Sequence, residues 1–271
     1  MNHWSRFQKY LVRYPDLAIS LDISRMNFED DYLAKMEPLV TRAYEDMKKL
    51  EAGAIANPDE KRMVGHYWLR NSKLAPTPEL QQGIDQDIAD AKSFASLVHS
   101  GEVAPERGGK FTRLLVVGIG GSALGPQLMT DALVDSWKAP VQTHFFDNTD
   151  PDGMQRVLNQ IGGDLSKTLT VVISKSGGTP ETQNGLFEAK AAYESHGLDF
   201  SKHAVAVTGT AANGVTSKLE AYAKEHNWIK IFPMTDWVGG RTSVLSTVGL
   251  VPMAIQGIVV DALLAGAAAM D

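Results

Sequence analysis

The 271-residue chain has no cysteine. That absence excludes disulfide staples, thiolate metal sites and a cysteine nucleophile, and it favours a cytosolic protein. Aromatic residues make up only 8%, and there is no basic excess: 26 Lys and Arg face 32 Asp and Glu, a formal charge of −6. Such a balance offers no footprint for nucleic acid, so any phosphate must be held locally. The first ten residues lack the apolar core and small-residue cleavage site of an export signal, and they are not Arg/Ser-rich like a transit peptide. One long apolar stretch runs from Val244 to Met270. Pro252 and Asp261 interrupt it, and an Asp near a bilayer centre costs about 2.5–3.5 kcal/mol, so the stretch is expected to be a buried helix rather than a membrane span. The seven histidines form no HExxH or paired i,i+4 pattern, and a metal site is not expected. Neither a tandem repeat nor a low-complexity tract is present.

What the chain does contain is ordinary globular composition, 44% apolar and 21% charged, with 24 Gly and 12 Pro. Its length allows one or two domains. Up to about residue 100 the texture is helical: charged and apolar residues mix at helical spacing over Asp30–Leu50 and Leu80–Val98, with breaks at Ala52–Asn57 and Pro76–Pro78. The acidic run Glu29–Asp31 reads as a solvated helix start, and His66–Trp68 as an aromatic packing patch. After residue 110 short apolar runs alternate with turns and helical segments: Leu114–Val117, His144–Phe146, Leu169–Ile173, Ala204–Val207 and Trp228–Phe232. Five strands alternating with helices predict an α/β fold with a five-stranded parallel sheet flanked by helices, joined to the helical leader through Gly101–Gly109.

Ligands of such sheets bind outside the carboxyl ends of the strands, so the residues following each strand matter most. Gly118-Ile-Gly-Gly-Ser-Ala-Leu-Gly125 follows the first strand. Its glycines let the backbone approach an anion, the next helix presents free N–H groups, and Ser122 adds a hydroxyl. The same turn fits a dinucleotide fingerprint through Gly118, Gly120 and Ala123, with Asp147 placed as a ribose acid, which would suit a nicotinamide oxidoreductase. Ser174-Lys-Ser-Gly-Gly-Thr-Pro-Glu-Thr182 follows the third strand and concentrates hydroxyls, two glycines and Lys175 ahead of Pro180, a residue suited to a first helical turn. It lacks Walker spacing; its donors suit a phosphate, although such a loop can also be a plain solvated turn. Trp237-Val-Gly-Gly-Arg-Thr-Ser243 follows the fifth strand. There Arg241 either stabilises an oxyanion or serves as an ordinary surface cation. Two anion-shaped loops on one sheet favour a compact sugar phosphate over a dinucleotide.

Together the Ile119–Ser122 turn, the Ser174–Thr182 loop and the Val238-Gly-Gly-Arg-Thr-Ser-Val-Leu-Ser246 turn resemble the phosphoglucose isomerase family in order, spacing and preceding strands, over nearly the whole chain. The resemblance implies a sugar-isomerase (SIS), nucleotide-binding-like fold, with residues 1–105 as helical leader, 106–245 as the first sugar-isomerase domain and 246–271 as the start of a connection to a second. It implies that Ser174, Ser176 and Thr179, with Lys175 nearby, bind the substrate phosphate. Gly121 and Ser122 would line the sugar-phosphate pocket, Glu181 would sit close by, and Arg241 would face the reacting carbons. The implied activity is glucose 6-phosphate to fructose 6-phosphate isomerisation through an enediolate, with no cofactor, in a cytoplasmic homodimer. The family's base Glu, ring-opening His and C-terminal Lys find no counterpart here. With an uncapped helical end at Asp271, this leads to the expectation of a fragment of a longer enzyme, inactive alone. The competing expectation is a sugar-phosphate sensor without catalysis.

Overall fold

The aliphatic runs beyond residue 110 form one all-parallel sheet in the computed structural model, which describes residues 2–211 and 217–271. Its strands are β5 (Arg113–Val117), β6 (Gln142–Phe146), β7 (Thr168–Ser174), β8 (Ala204–Gly209) and β9 (Lys230–Met234), in the order β6-β5-β7-β8-β9. Every residue of β7 and β8 is buried, as expected of parallel strands covered on both faces. The two-residue side-chain period divides them cleanly. Leu114, Val116, Val171, Ile173, Val205 and Val207 enter one core, while Leu115, Val117, Val172 and Ala206 enter the other.

Helices α5 (Pro151–Ile161), α6 (Pro180–Ser195) and α7 (Lys218–Glu225) cover the second face. The first is covered by α3 (Pro78–Ser100), α4 (Gly121–Leu133), α8 (Thr247–Ile255) and α9 (Val260–Ala269). Although α3 lies in the leader, its Ala91, Phe94, Ala95 and Val98 belong to the sheet's core, and Phe94 meets Phe232 edge-on at 5.5 Å. Local sequence sets its ends: Thr77 caps the start by accepting from Leu80 N–H, Pro78 opens the first turn, and Gly101 in the left-handed region closes the last.

The rest of the leader departs from a purely helical reading. α1 (His3–Tyr10) and α2 (Tyr32–Glu51) are helices, but β1 (Leu11–Tyr14) pairs with β2 (Ile19–Asp22), and β3 (Ile55–Asn57) with β4 (Arg62–Met63), as small antiparallel hairpins. Strands of two to four residues carry too little periodicity to register in sequence. The stretch Val244–Met270 is likewise not one buried helix. Gly257, at φ +84°, breaks it between α8 and α9. All nine residues of α8 are buried, whereas α9 buries only Val260 and Leu264. Among the described residues no helix is long and apolar enough to cross a membrane.

Candidate active site

β7 ends at Ser174, and the chain turns through the Ser176–Gly178 loop into α6, with Thr179 at the N-cap and Pro180 in the first turn. The loop is held from within and from the side. The buried Ser174 hydroxyl accepts from Gly177 N–H at 3.1 Å and lies 3.4 Å from the Thr179 hydroxyl; Gly178 N–H donates to Ser176 Oγ at 3.1 Å. From β8, Thr208 Oγ1 donates to the Ser174 carbonyl at 2.6 Å and Gly209 N–H to the Lys175 carbonyl, while Lys218 N–H donates to the Ser176 carbonyl. Gly177 is required: it lies at φ +65°, and a Cβ there would overlap the backbone nitrogen of Leu219. The Thr179 hydroxyl forms no cap bond to its own helix. The loop thus presents side-chain hydroxyls beside the N-terminus of a 16-residue helix, a site with local positive potential.

The first turn reaches the same place. β5 runs into Gly118 and Gly120, and α4 starts at Gly121. A Cβ on Gly121 would overlap the Gly240 carbonyl, so these two turns touch backbone to backbone. Gly240 opens the short 3-10 turn Gly240–Thr242 beyond β9 and accepts a 2.7 Å hydrogen bond from Ser243 Oγ. The result is a cleft of about 380 Å³ at the carboxyl ends of the central strands, lined by Gly121, Ser122, Ser174, Lys175, Ser176, Thr179 and Gly240. The three turns singled out in sequence converge there.

Three predicted side chains need a finer description. Lys175 lines the cleft, but its ammonium donates to the Asp236 and Val238 carbonyls at 3.1 and 3.2 Å and stands 3.8 Å from Asp236 Oδ1. Burial lowers its pKa, and the Asp236 charge partly offsets the drop. Lys175 therefore ties the Ser174–Thr179 loop to the turn beyond β9. Arg241 is exposed, one residue past the cleft-lining Gly240, and its guanidinium forms no ion pair or hydrogen bond among the described residues. Glu181 lies half-buried in the first turn of α6, outside the cleft lining.

Two residues were not foreseen. Asp236 and Arg62 complete the cleft wall, Arg62 arriving from β4 of the leader. A mixed-charge run such as Asp59-Glu-Lys-Arg62 looks like a solvated turn, and nothing in its spacing points to a site. Asp147, the candidate ribose acid, lies outside this cleft; its Oδ2 accepts from Gln127 Nε2 at 2.7 Å and its Oδ1 from Asn148 Nδ2 at 3.1 Å. No cluster of three metal-ligating side chains occurs among the described residues.

Comparison with known proteins shows the family. Residues 22–271 match the family model described as phosphoglucose isomerase. The chain belongs to the phosphoglucose isomerase family. The glucose-6-phosphate isomerase of Geotalea daltonii is 55% identical over 268 residues, covering 99% of this chain and 49% of that protein. The glucose-6-phosphate isomerase of Thermosynechococcus vestitus is 54% identical, covering 99% and 50%. The crystal structure of a glucose-6-phosphate isomerase from Chlamydia trachomatis superposes with a TM-score of 0.77 at 26% identity, over 94% of this chain and 48% of that one. The chain spans about half the length of the curated phosphoglucose isomerase relatives it matches.

Proposed function

We propose that these 271 residues form the sugar-phosphate-binding half of a glucose-6-phosphate isomerase, an enzyme of glycolysis and gluconeogenesis. The observation that carries this reading is the convergence of the hydroxyl-rich loop, the glycine turn and the Gly240 turn on one cleft. In this assignment Ser174, Ser176 and Thr179 hold the phosphate with backbone amides at the start of α6. Lys175 supplies nearby charge while locking the loop. Gly121 and Ser122 bound the sugar, and Glu181 lies beside the phosphate loop. Arg241 turns toward the reacting carbons, where a fixed guanidinium stabilises the enediolate left when the C2 proton departs. The proton passes to a carboxylate base and returns at C1, so the reaction needs no oxidant and no cofactor.

The base, a ring-opening histidine and a terminal lysine, implied by the family's chemistry, have no assigned counterparts in this sequence. We therefore assign binding to this chain and turnover to a complete enzyme, a cytoplasmic homodimer. Residues 1–105, 106–245 and 246–271 are assigned as leader, first sugar-isomerase domain and connection.

Calorimetric titration with fructose 6-phosphate tests the reading. The 271-residue chain binds it without isomerising it, and the S176A/T179A double variant binds at least about tenfold more weakly, the loss expected for two hydrogen bonds to a charged group. Restored to a full-length enzyme, R241A lowers kcat more than it raises KM. Absence of binding to the wild-type chain refutes the reading; binding without turnover in the complete natural protein favours the sensor.

A further inference from the structure

Part of the cleft wall comes from the leader. β3 and β4 are joined by a tight turn: Lys61 N–H bonds the Pro58 carbonyl at 3.3 Å, Asn57 Oδ1 accepts from Glu60 N–H at 3.2 Å, and Lys61 takes a left-handed φ of +51°. The next residue, Arg62, is thereby carried to the cleft. The hairpin is pinned beside it. Gly65 N–H donates to the Trp237 carbonyl at 2.9 Å, and a Cβ on Gly65 would overlap the rings of Trp68 and Trp237. Trp68 is fully buried, 5.3 Å from Trp237.

The Arg62 guanidinium is underused for a side chain held this firmly. Nη1 bonds Glu60 Oε2 at 3.1 Å, while Nη2 stands 3.8 Å from Asp236 Oδ1, beyond hydrogen-bond reach. Lys175 is also 3.8 Å from that carboxylate oxygen, which is buried without a hydrogen-bond partner. Lys175 spends two of its three N–H donors on backbone carbonyls, whereas Arg62 spends one of five on Glu60, so Arg62 is the cleft-lining cation with more donors to spare. Those donors form a planar fork suited to phosphate oxygens.

We propose that Arg62 is a second cation of the anion pocket, and that it binds the substrate phosphate together with the Ser174–Thr179 loop. This rests on the sugar-phosphate reading above and adds the leader hairpin to the binding machinery. Glu60 and Asp236 are its competing partners, and an arriving phosphate dianion replaces part of their hold on the guanidinium.

The experiment measures affinity of the 271-residue chain for fructose 6-phosphate and for inorganic phosphate by calorimetry, in wild type, R62Q, R62K and E60Q. R62Q is expected to weaken both ligands roughly tenfold, as loss of a charge-assisted bond implies, with R62K recovering part of the loss. E60Q frees the guanidinium from a competitor and is expected to tighten both ligands or leave them unchanged. The inference fails if R62Q binds like wild type, or if E60Q weakens binding as much as R62Q, since Arg62 would then be only a strut for the hairpin. Should R62Q fail to fold, the opposing expectations for R62K and E60Q still decide. A wild-type chain that binds neither ligand overturns the sugar-phosphate reading as well; normal wild-type binding with an indifferent R62Q overturns this inference alone.

Discussion

Asp87 shows how a single half-buried charge sets pH dependence away from the cleft. It lies on α3, and burial, reinforced by the neighbouring Asp90 charge, raises its carboxyl from the ordinary 3.8 to about 7. A carboxyl whose pKa is raised by folding contributes stability below its unfolded value, and that contribution is lost as pH rises from about 4 through about 7. At pH 8 the native state must therefore hold an ill-solvated carboxylate. The variant D87N is expected to melt above wild type at pH 8 and to converge with it near pH 4. Thermal denaturation at the two values checks this; an equal difference at both would remove Asp87 as the cause. His203 acts with the opposite sign. Fully buried, with Nδ1 2.8 Å from the Thr168 carbonyl, it has a pKa lowered chiefly by burial, so its contribution is complete above about 6.5 and declines on acidification.

At the scale of elements, α3 links leader and sheet. Phe94 of α3 packs on β9 in the main core, so F94A leaves a cavity against Phe232 and is expected to cost about 3–5 kcal/mol in chemical denaturation. A loss confined to the leader, with the sheet melting unchanged, would contradict this packing. The central strands were legible because burial on both faces makes them nearly continuous apolar runs, as in Leu114–Val117 and Leu169–Ile173. Helices α2 and α3 were legible through their period and through Pro78. The leader hairpins were not: β4 has two residues, and its consequence, Arg62 at the cleft, arises from tertiary contact at Gly65 and Trp237. The division of Val244–Met270 was equally hidden, because a glycine inside an apolar run is compatible with a helix until its φ is known. The cleft lining was easier to read: Ser174, Ser176 and Thr179 lie where strand order puts them, while the engagement of the Lys175 ammonium by two carbonyls depends on a turn some sixty residues away.

Across the whole molecule, apolar surface is distributed unevenly. The 20 residues of α2 bury no side chain, leaving Leu39 and Tyr44 exposed, and a groove of about 690 Å³ between α4 and α9 is walled by Met129, Leu133, Ile258 and Leu263. Contiguous apolar surface on an otherwise folded chain binds hydrophobic dyes and promotes association. The 271-residue chain is accordingly expected to enhance ANS fluorescence at neutral pH while retaining near-UV circular dichroism, and to sediment as larger species with rising concentration. A silent dye and a concentration-independent sedimentation coefficient would mean that these faces are covered.

The meeting of Gly121 with Gly240 reaches further than the local packing. A joint made of two main chains has no rotamer with which to adjust, so the width of the cleft floor is set by covalent geometry and by the sheet beneath it. Adjustment of the opening is then left to the side chains around it, and the spacing of the two turns stays constant while those side chains vary.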